Sequence, residues 1–261
     1  MLRNETFQTI MNRRSVRAYA DKEIESYNKQ AIIDAARRAP TAGNLQMYSM
    51  IVVEDQDIKD KLSKSCDNQP FIAKAPLVII YLADFNKLFQ LYEVSGCYDF
   101  MQEKGEELRY PGLGEFILSV NDALIAAQTS VIAAESIGIG SCYIGDIMEQ
   151  YTYHRELLAL PDLVFPATML CYGYPKTPSK DDRKLLPRYA EEYVVFTDKY
   201  KRFSDEEILH MTDDTAWVYQ SNGKYSSGAK NIGQHLCARK YMTDYSMELF
   251  NSMTKYIDLW Q

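Results

Sequence analysis

The sequence predicts one large domain that mixes helices with strands, followed by a helical extension. The 261 residues are enough to bury a sizeable core, and 46% apolar with 25% charged residues is the balance of a globular protein. Helical periodicity alternates with short apolar runs as far as residue 196. The pattern then changes to helical segments, so we expect a main domain at 1–200 and an extension at 201–261 packed on it.

Two hydrophobic patterns assign the elements along the chain. Residues 31–36 place alanine and isoleucine on one face of a helix, whereas residues 77–83 form an uninterrupted apolar run typical of a strand buried on both faces. Residues 85–117, rich in Tyr, Phe and Glu, are predicted to form a mobile insertion or lid. Helices are predicted at residues 4–12, 26–38, 57–65 and 242–260, and strands at residues 48–54, 77–83, 138–145, 167–174 and 193–196.

The segment from Asn121 to Glu135 differs from the rest of the chain. Residues 123–134 carry no charge, and their small side chains fall on every side of the predicted helix. A helix that is apolar all round is buried all round. It therefore belongs either in the centre of the domain or in a subunit interface, and we favour an interface that is also core.

Charge and composition exclude several classes of partner. A formal net charge of -7 argues against nucleic acid or an anionic membrane surface, which leaves small anionic ligands for the local basic clusters. No stretch has the uninterrupted apolar run of an export signal or a membrane span, so the expected location is the cytoplasm. Five cysteines without a CxxC pair predict reduced thiols, and three scattered histidines predict no metal site.

The run Arg13–Arg17 places three guanidinium groups and one hydroxyl within a short turn. Arginine offers a planar fork of donors that fits phosphate oxygens in pairs, and Ser15 adds a neutral donor. An Arg-rich pentapeptide alone is usually a solvated surface. Two later segments suit a flat ligand: the loop 40–46 with its two amides, and the glycine-spaced strand 138–145, which lacks the helix that a dinucleotide motif requires.

Taken in order, four motifs resemble those of the nitroreductase family of FMN-dependent oxidoreductases over about residues 5–200. They are the Arg-x-Ser-x-Arg run, the loop Ala39–Gln46, the charge-free helix leading into Gly138–Gly145, and Pro187-Arg188-Tyr189. The layout is most similar to the oxygen-insensitive, NADPH-preferring nitroreductases and flavin reductases. The resemblance implies an α+β fold with a mixed four- or five-stranded sheet between helices, in an obligate homodimer that holds FMN at the subunit interface.

By position, the resemblance also implies which residues bind the cofactor, and it nominates no catalytic side chain because the flavin carries the chemistry. The phosphate, ribityl chain and pyrimidine edge of FMN should be contacted by Arg13, Ser15 and Arg17, with Arg14 nearby and Arg188 joining the phosphate site. The flavin of the other subunit should be contacted by Thr41, Asn44 and Gln46. The remaining ring contacts should come from Gln69, Tyr143, Ile144 and Gly145.

Two departures from the family pattern affect the expected site. Many members have a lysine two residues before the last arginine, where this chain has Leu186, so Lys184 is the available substitute. Many members also have a second glycine after Gly145, where this chain has Asp146. An acidic side chain there disfavours a 2′-phosphorylated cofactor or an anionic substrate, which leaves the choice between NADH and NADPH open. The strand 193–196 is expected to complete the sheet of the partner subunit.

The resemblance implies a ping-pong oxidoreductase in which NADH or NADPH passes hydride to flavin N5. A nitroaromatic, a quinone or a related small molecule then takes the electrons from the same position. One alternative is a flavin reductase that releases reduced FMN to a partner. A second alternative, of another class, is a non-catalytic flavin-binding or redox-sensing protein whose helical tail blocks the open face.

Overall fold

A four-stranded sheet lies at the centre of the first of two units in this computed structural model, which describes residues 4–176 and 185–260. Its strands are β1 (Tyr48–Val52), β2 (Leu77–Asp84), β3 (Gly140–Ile144) and β4 (Val164–Gly173). They lie in the order β1-β2-β4-β3, and every pairing is antiparallel. Four of the five predicted strands are therefore confirmed within a few residues.

The mixed sheet implied by the resemblance is not formed within the described residues. Parallel pairing there is limited to an isolated bridge between Ser15 and Ser141 on β3. The segment that contains Ser15 thus lies beside the sheet without joining it as a full strand, because one bridge is not a ladder of hydrogen bonds.

Alternate residues of β2 face two separate hydrophobic layers, since successive side chains of a strand point to opposite faces. Ile79 and Tyr81 belong to one layer, and Val78 and Ile80 belong to the other. Both layers are covered, which explains why the whole strand is buried. The helices of the first unit before residue 160 are α1 (Glu5–Asn12), α2 (Ser26–Arg37), α3 (Gln56–Ser65), α4 (Pro70–Ala73), α5 (Asn86–Val94), α6 (Cys97–Glu103), α7 (Leu113–Ser136) and α8 (Tyr151–Leu157).

The predicted insertion at 85–117 consists largely of helix. It contains α5, α6 and the start of α7, so most aromatic side chains of this region lie on helices. Tyr110 lies in the non-helical stretch 106–112 and meets Phe89 of α5 edge to face, with ring centroids 5.2 Å apart. Aromatic pairs of this kind order the segment.

Helix α7 is buried on one side of the single chain, which confirms its place in the core and leaves the predicted interface face untested. Ala123, Ala127 and Ala134 are fully buried against the rest of the core, whereas Ile117 and Ile125 are exposed. Length and composition alone would allow α7 to cross a membrane, and it is the one described helix that meets this test. Its buried inner face is that of a core helix.

The boundary between the two units differs from the predicted division at residue 200. The first unit comprises Met1–Ser179 and Glu248–Gln261, and the second comprises Lys180–Met247. Residues after Glu248 belong to the first unit because Tyr256 and Trp260 are fully buried in its core. Trp260 packs edge to face on Phe116, with ring centroids 5.2 Å apart.

The second unit contains short elements only. They are α9 (Asp205–His210), the hairpin of β5 (Gln220–Ser221) and β6 (Lys224–Tyr225), α10 (Ile232–Leu236) and the start of α11 (Asp244–Ile257). The run predicted as a strand at 193–196 forms no ladder within the described residues, where Glu191–Tyr193 is a 3-10 turn. Val194 and Val195 are exposed in the single chain. The expected pairing of this run with the sheet of a partner subunit stays a prediction.

Candidate flavin site

The Arg13–Arg17 run is held in a fixed register against β3. The backbone N–H of Val16 donates to the carbonyl of Ser141 at 2.8 Å, and the Val16 side chain is buried. Gly140 makes this approach possible, because a Cβ at that position would stand 2.4 Å from Cγ2 of Val16. The glycine of β3 and the arginine run are therefore parts of one packing arrangement.

Two buried polar atoms, one in the arginine run and one on the outer strand β3, have no hydrogen-bond partner among the described residues. They are Nη1 of Arg13 and Oγ of Ser141. A buried donor without a partner costs about 1–3 kcal/mol, so each one in a native protein calls for an explanation, and a ligand is one. A guanidinium N–H and a hydroxyl are both donors suited to an anionic oxygen. Donors of these two kinds suit the phosphate of a nucleotide-like cofactor.

Cys142 shows where the other side chains of the run lie. Burial raises the pKa of its thiol, and the charge of Arg17, the Ser15 side chain and the charge of Arg13 act in the opposite direction. These three side chains therefore lie near β3. Cys142 itself is fully buried, which makes it a packing thiol. Arg14, the fourth predicted residue of the run, is half-buried.

The end of β3 brings Gln69 to the predicted flavin wall. The Gln69 amide Nε2 donates to the carbonyl of Cys66 at 3.0 Å and to Oδ2 of Asp146 at 3.2 Å. Asp146 directly follows Tyr143-Ile144-Gly145, so Gln69 and this backbone are neighbours. The Tyr143 hydroxyl donates to Oε1 of Gln128 at 3.1 Å, and burial raises the pKa of that phenol.

The loop that carries Thr41, Asn44 and Gln46 precedes β1 and is shaped by left-handed backbone. Gly43, Asn44 and Gln46 have φ values of 55°, 57° and 53°, and both amide side chains are exposed. The Gln46 N–H donates to Oγ1 of Thr41 at 3.3 Å. Exposed amides on a constrained loop are available to a flat polar ligand.

Asp122 anchors this loop, and the sequence analysis did not identify it. Its carboxylate, only 1% exposed, accepts hydrogen bonds from the backbone of Ala42 at 2.9 Å and of Met47 at 3.1 Å. The available signal was a lone carboxylate immediately before a charge-free helix. Such a buried charge needs donors, and here they are the two ends of the loop.

The predicted residues fall into two groups at opposite edges of the sheet. Arg13–Arg17, Gln69 and the end of β3 lie at one edge, whereas Thr41–Gln46 leads into β1 at the other. Three strand spacings, or about 14 Å, separate the outer strands. One chain therefore does not assemble the whole predicted site.

The described geometry does not test the last two predicted residues as ligands of this site. Lys184 lies outside the described residues. Arg188 belongs to the second unit, where its guanidinium donates to the carbonyls of Leu186 at 3.0 Å and Pro187 at 3.2 Å. In residues 4–176 and 185–260, no group of three or more His, Cys, Asp or Glu side chains is arranged to hold a metal ion.

Comparison with known proteins assigns the chain to a family. The profile of the Nitroreductase family matches residues 10–174. The chain is 32% identical to an FMN reductase (NADPH) of Bacillus subtilis strain 168 over 94% of this chain and 97% of the relative, and 30% identical to an oxygen-insensitive NADPH nitroreductase of Salmonella typhimurium over 84% of each. It superposes on NfrA2 of B. megaterium with a TM-score of 0.80 and 30% identity over 97% of both chains. The chain belongs to the nitroreductase family.

Proposed function

We propose that this protein is a flavin-dependent NAD(P)H oxidoreductase that binds FMN in the first unit. The observation that carries the proposal is the pair of buried, unpartnered polar atoms, Nη1 of Arg13 and Oγ of Ser141, beside the arginine run. Relatives named FMN reductase (NADPH) and NADPH nitroreductase support the same chemistry. FMN and a nicotinamide co-substrate follow from that class of reaction.

The residues of this chain would bind and orient the cofactor without acting on the substrate. Arg13, Ser15 and Ser141 would hold the phosphate, with Arg17 supplying positive charge nearby. When bound, FMN supplies the two-electron chemistry that links the nicotinamide to the acceptor. The half-buried Arg13 is the anchor in this arrangement, and the exposed Arg17 stabilises negative charge on the reduced ring.

A homodimer would unite the two groups of site residues. The exposed face of α7, with Ile117, Leu118, Leu124 and Ile125, is the surface we propose for the second copy. A cavity of about 660 Å³ between α1, α2 and α7 continues this face. Pairing there would bring Thr41, Asn44 and Gln46 of one copy to the Arg13–Arg17 run of the other.

Sedimentation of Ile125→Lys should show monomers with weakened FMN binding, and a dimer that keeps its flavin would refute this arrangement.

The decisive test is the colour and redox behaviour of the purified protein. We expect a yellow protein whose flavin bleaches on anaerobic addition of NADPH or NADH and recovers with a nitroaromatic or quinone. A colourless protein that gains no flavin from added FMN would rule the proposal out. Arg13→Ala should lose FMN, whereas Arg17→Ala should retain it and slow reduction; the reverse pattern would exchange the two roles.

Relatives named FMN reductase favour free FMN as a second acceptor for the same site. Turnover with free FMN, compared with nitroaromatics and quinones, distinguishes the two activities. Retention of bound flavin through gel filtration in both redox states would count against release of reduced FMN. Absence of turnover with every acceptor would favour the non-catalytic alternative.

We propose a cytoplasmic location, which cell fractionation tests.

A further inference from the structure

The carboxylate of Asp146 directly follows the predicted flavin wall Tyr143–Gly145 along the chain. Its Oδ2 accepts a hydrogen bond from Nε2 of Gln69 at 3.2 Å. We infer that Asp146 is a positioning residue, which fixes the Gln69 amide so that its oxygen faces the flavin as a hydrogen-bond acceptor. The inference rests on the proposed function and adds a role for Asp146.

The orientation of the Gln69 amide follows from the chemistry of its neighbours. The carbonyl of Cys66 and the carboxylate of Asp146 are both acceptors, so the group between them must be the NH₂ of the amide. Both of its N–H bonds are then used. Oε1 accepts no hydrogen bond from the described residues, which leaves it for a ligand.

The backbone of Gln69 is fixed as well. Its N–H donates to the carbonyl of Ser63 at 2.8 Å, and the residue caps α4, which begins with Pro70. Only the side-chain torsions remain to be set, and the two amide hydrogen bonds set them. An oxidised isoalloxazine ring carries one N–H, at N3, so a fixed acceptor oxygen selects that edge of the ring.

Acidic side chains cluster beside Asp146. Glu149 is 7% exposed and its Oε1 has no hydrogen-bond partner among the described residues, while Asp146, Glu248 and Asp67 lie close enough to act on Glu149. Burial, followed by Asp146, Glu248 and Asp67, raises the pKa of Glu149 to about 7. Among these acidic neighbours, the Asp146 side chain receives its hydrogen bond from the Gln69 N–H. The position of each side chain therefore depends on the other.

Variants that exchange the donor and the acceptor between residues 69 and 146 test the inference. Gln69→Glu keeps an acceptor toward the flavin but places a carboxylate oxygen against Asp146, so the FMN dissociation constant should rise at least tenfold. Adding Asp146→Asn supplies an N–H to that oxygen and should recover part of the loss, because the hydrogen bond to the Cys66 carbonyl stays broken. Asp146→Asn alone keeps an acceptor for Gln69 and should change the constant by no more than about threefold.

Asp67→Asn is the matched control, because it removes one charge from the same acidic group at a position whose φ of 56° suits asparagine. It should neither weaken FMN binding nor rescue Gln69→Glu. FMN titration by fluorescence quenching and the absorption spectrum of the bound flavin provide the readouts, with urea unfolding as the test of folding.

Three results would overturn the inference. If Gln69→Glu binds FMN as weakly with Asp146→Asn as without it, or if Asp67→Asn rescues equally, the hydrogen bond is not responsible. If Gln69→Glu fails to fold, Asp146→Ala replaces it, and FMN binding that matches the unsubstituted protein then refutes the role. Failure of the unsubstituted protein to bind FMN would remove the proposed function and this inference together, whereas the first three outcomes leave the proposed function intact.

Discussion

Replacing Asp122 by alanine should release the loop that precedes β1. The carboxylate is buried and accepts two backbone hydrogen bonds, from Ala42 at 2.9 Å and from Met47 at 3.1 Å. A hydrogen bond to a charged group contributes about 1.5–3 kcal/mol, so loss of both should cost about 3–6 kcal/mol. Because those bonds hold the two ends of the loop, Asn44 and Gln46 should lose their fixed positions.

Urea unfolding gives the loss of stability, and hydrogen exchange gives its location. The Met47 amide should exchange far faster in Asp122→Ala than in the unsubstituted protein, while amides in the middle of β2 should follow only the global change. Glu106→Ala, which removes an exposed carboxylate between α6 and α7, is the control and should unfold within about 0.5 kcal/mol of the unsubstituted protein. If Asp122→Ala matches this control and the Met47 amide stays protected, the carboxylate does not anchor the loop.

Three further substitutions test other parts of the first unit. Trp260→Ala should lose about 3–5 kcal/mol in urea unfolding because it empties a fully buried site, whereas the half-exposed Trp217 should tolerate alanine with a smaller loss. Glu149 has a pKa of about 7 in the fold against an ordinary 4.5, so its contribution to stability is complete below pH 4.5 and about 3 kcal/mol is lost as pH rises through 7. Glu149→Gln should flatten that slope, and an unchanged slope would contradict the assignment. Gly140→Ala should cost about 1–3 kcal/mol and weaken FMN binding, and adding Val16→Ala should restore part of both; no rescue would contradict the steric cause.

Apolar residues that repeat every 2 or every 3.6 positions were enough to find the strands of the sheet and the main helices, because these elements form between near neighbours along the chain. The apolar run at 77–83 predicted a strand buried on both faces, and β2 is one. The motif order also indicated the family, which the family profile confirms. Local chemistry carried both results.

Contacts between distant residues were beyond these patterns. Asp122 holds residues about 75–80 positions earlier in the chain, and no local signal announces that pairing. The charge-free stretch 123–134 of α7 likewise does not distinguish a surface buried in its own domain from one left exposed, as Ile125 is. The apolar run at 193–196 forms no ladder within the described part of this chain, and a sequence pattern does not reveal which strand an apolar run will pair with.

The burial of Trp260 against Phe116 has a consequence for how this chain folds. The first unit is interrupted by Lys180–Met247, so its core is completed only after that whole segment has been synthesised. Contacts of such long sequence separation slow folding, because the intervening chain must close before the contact forms. Until then Phe116 and Phe165 remain uncovered on a nascent chain, and this is the stage at which we expect the protein to depend most on chaperones.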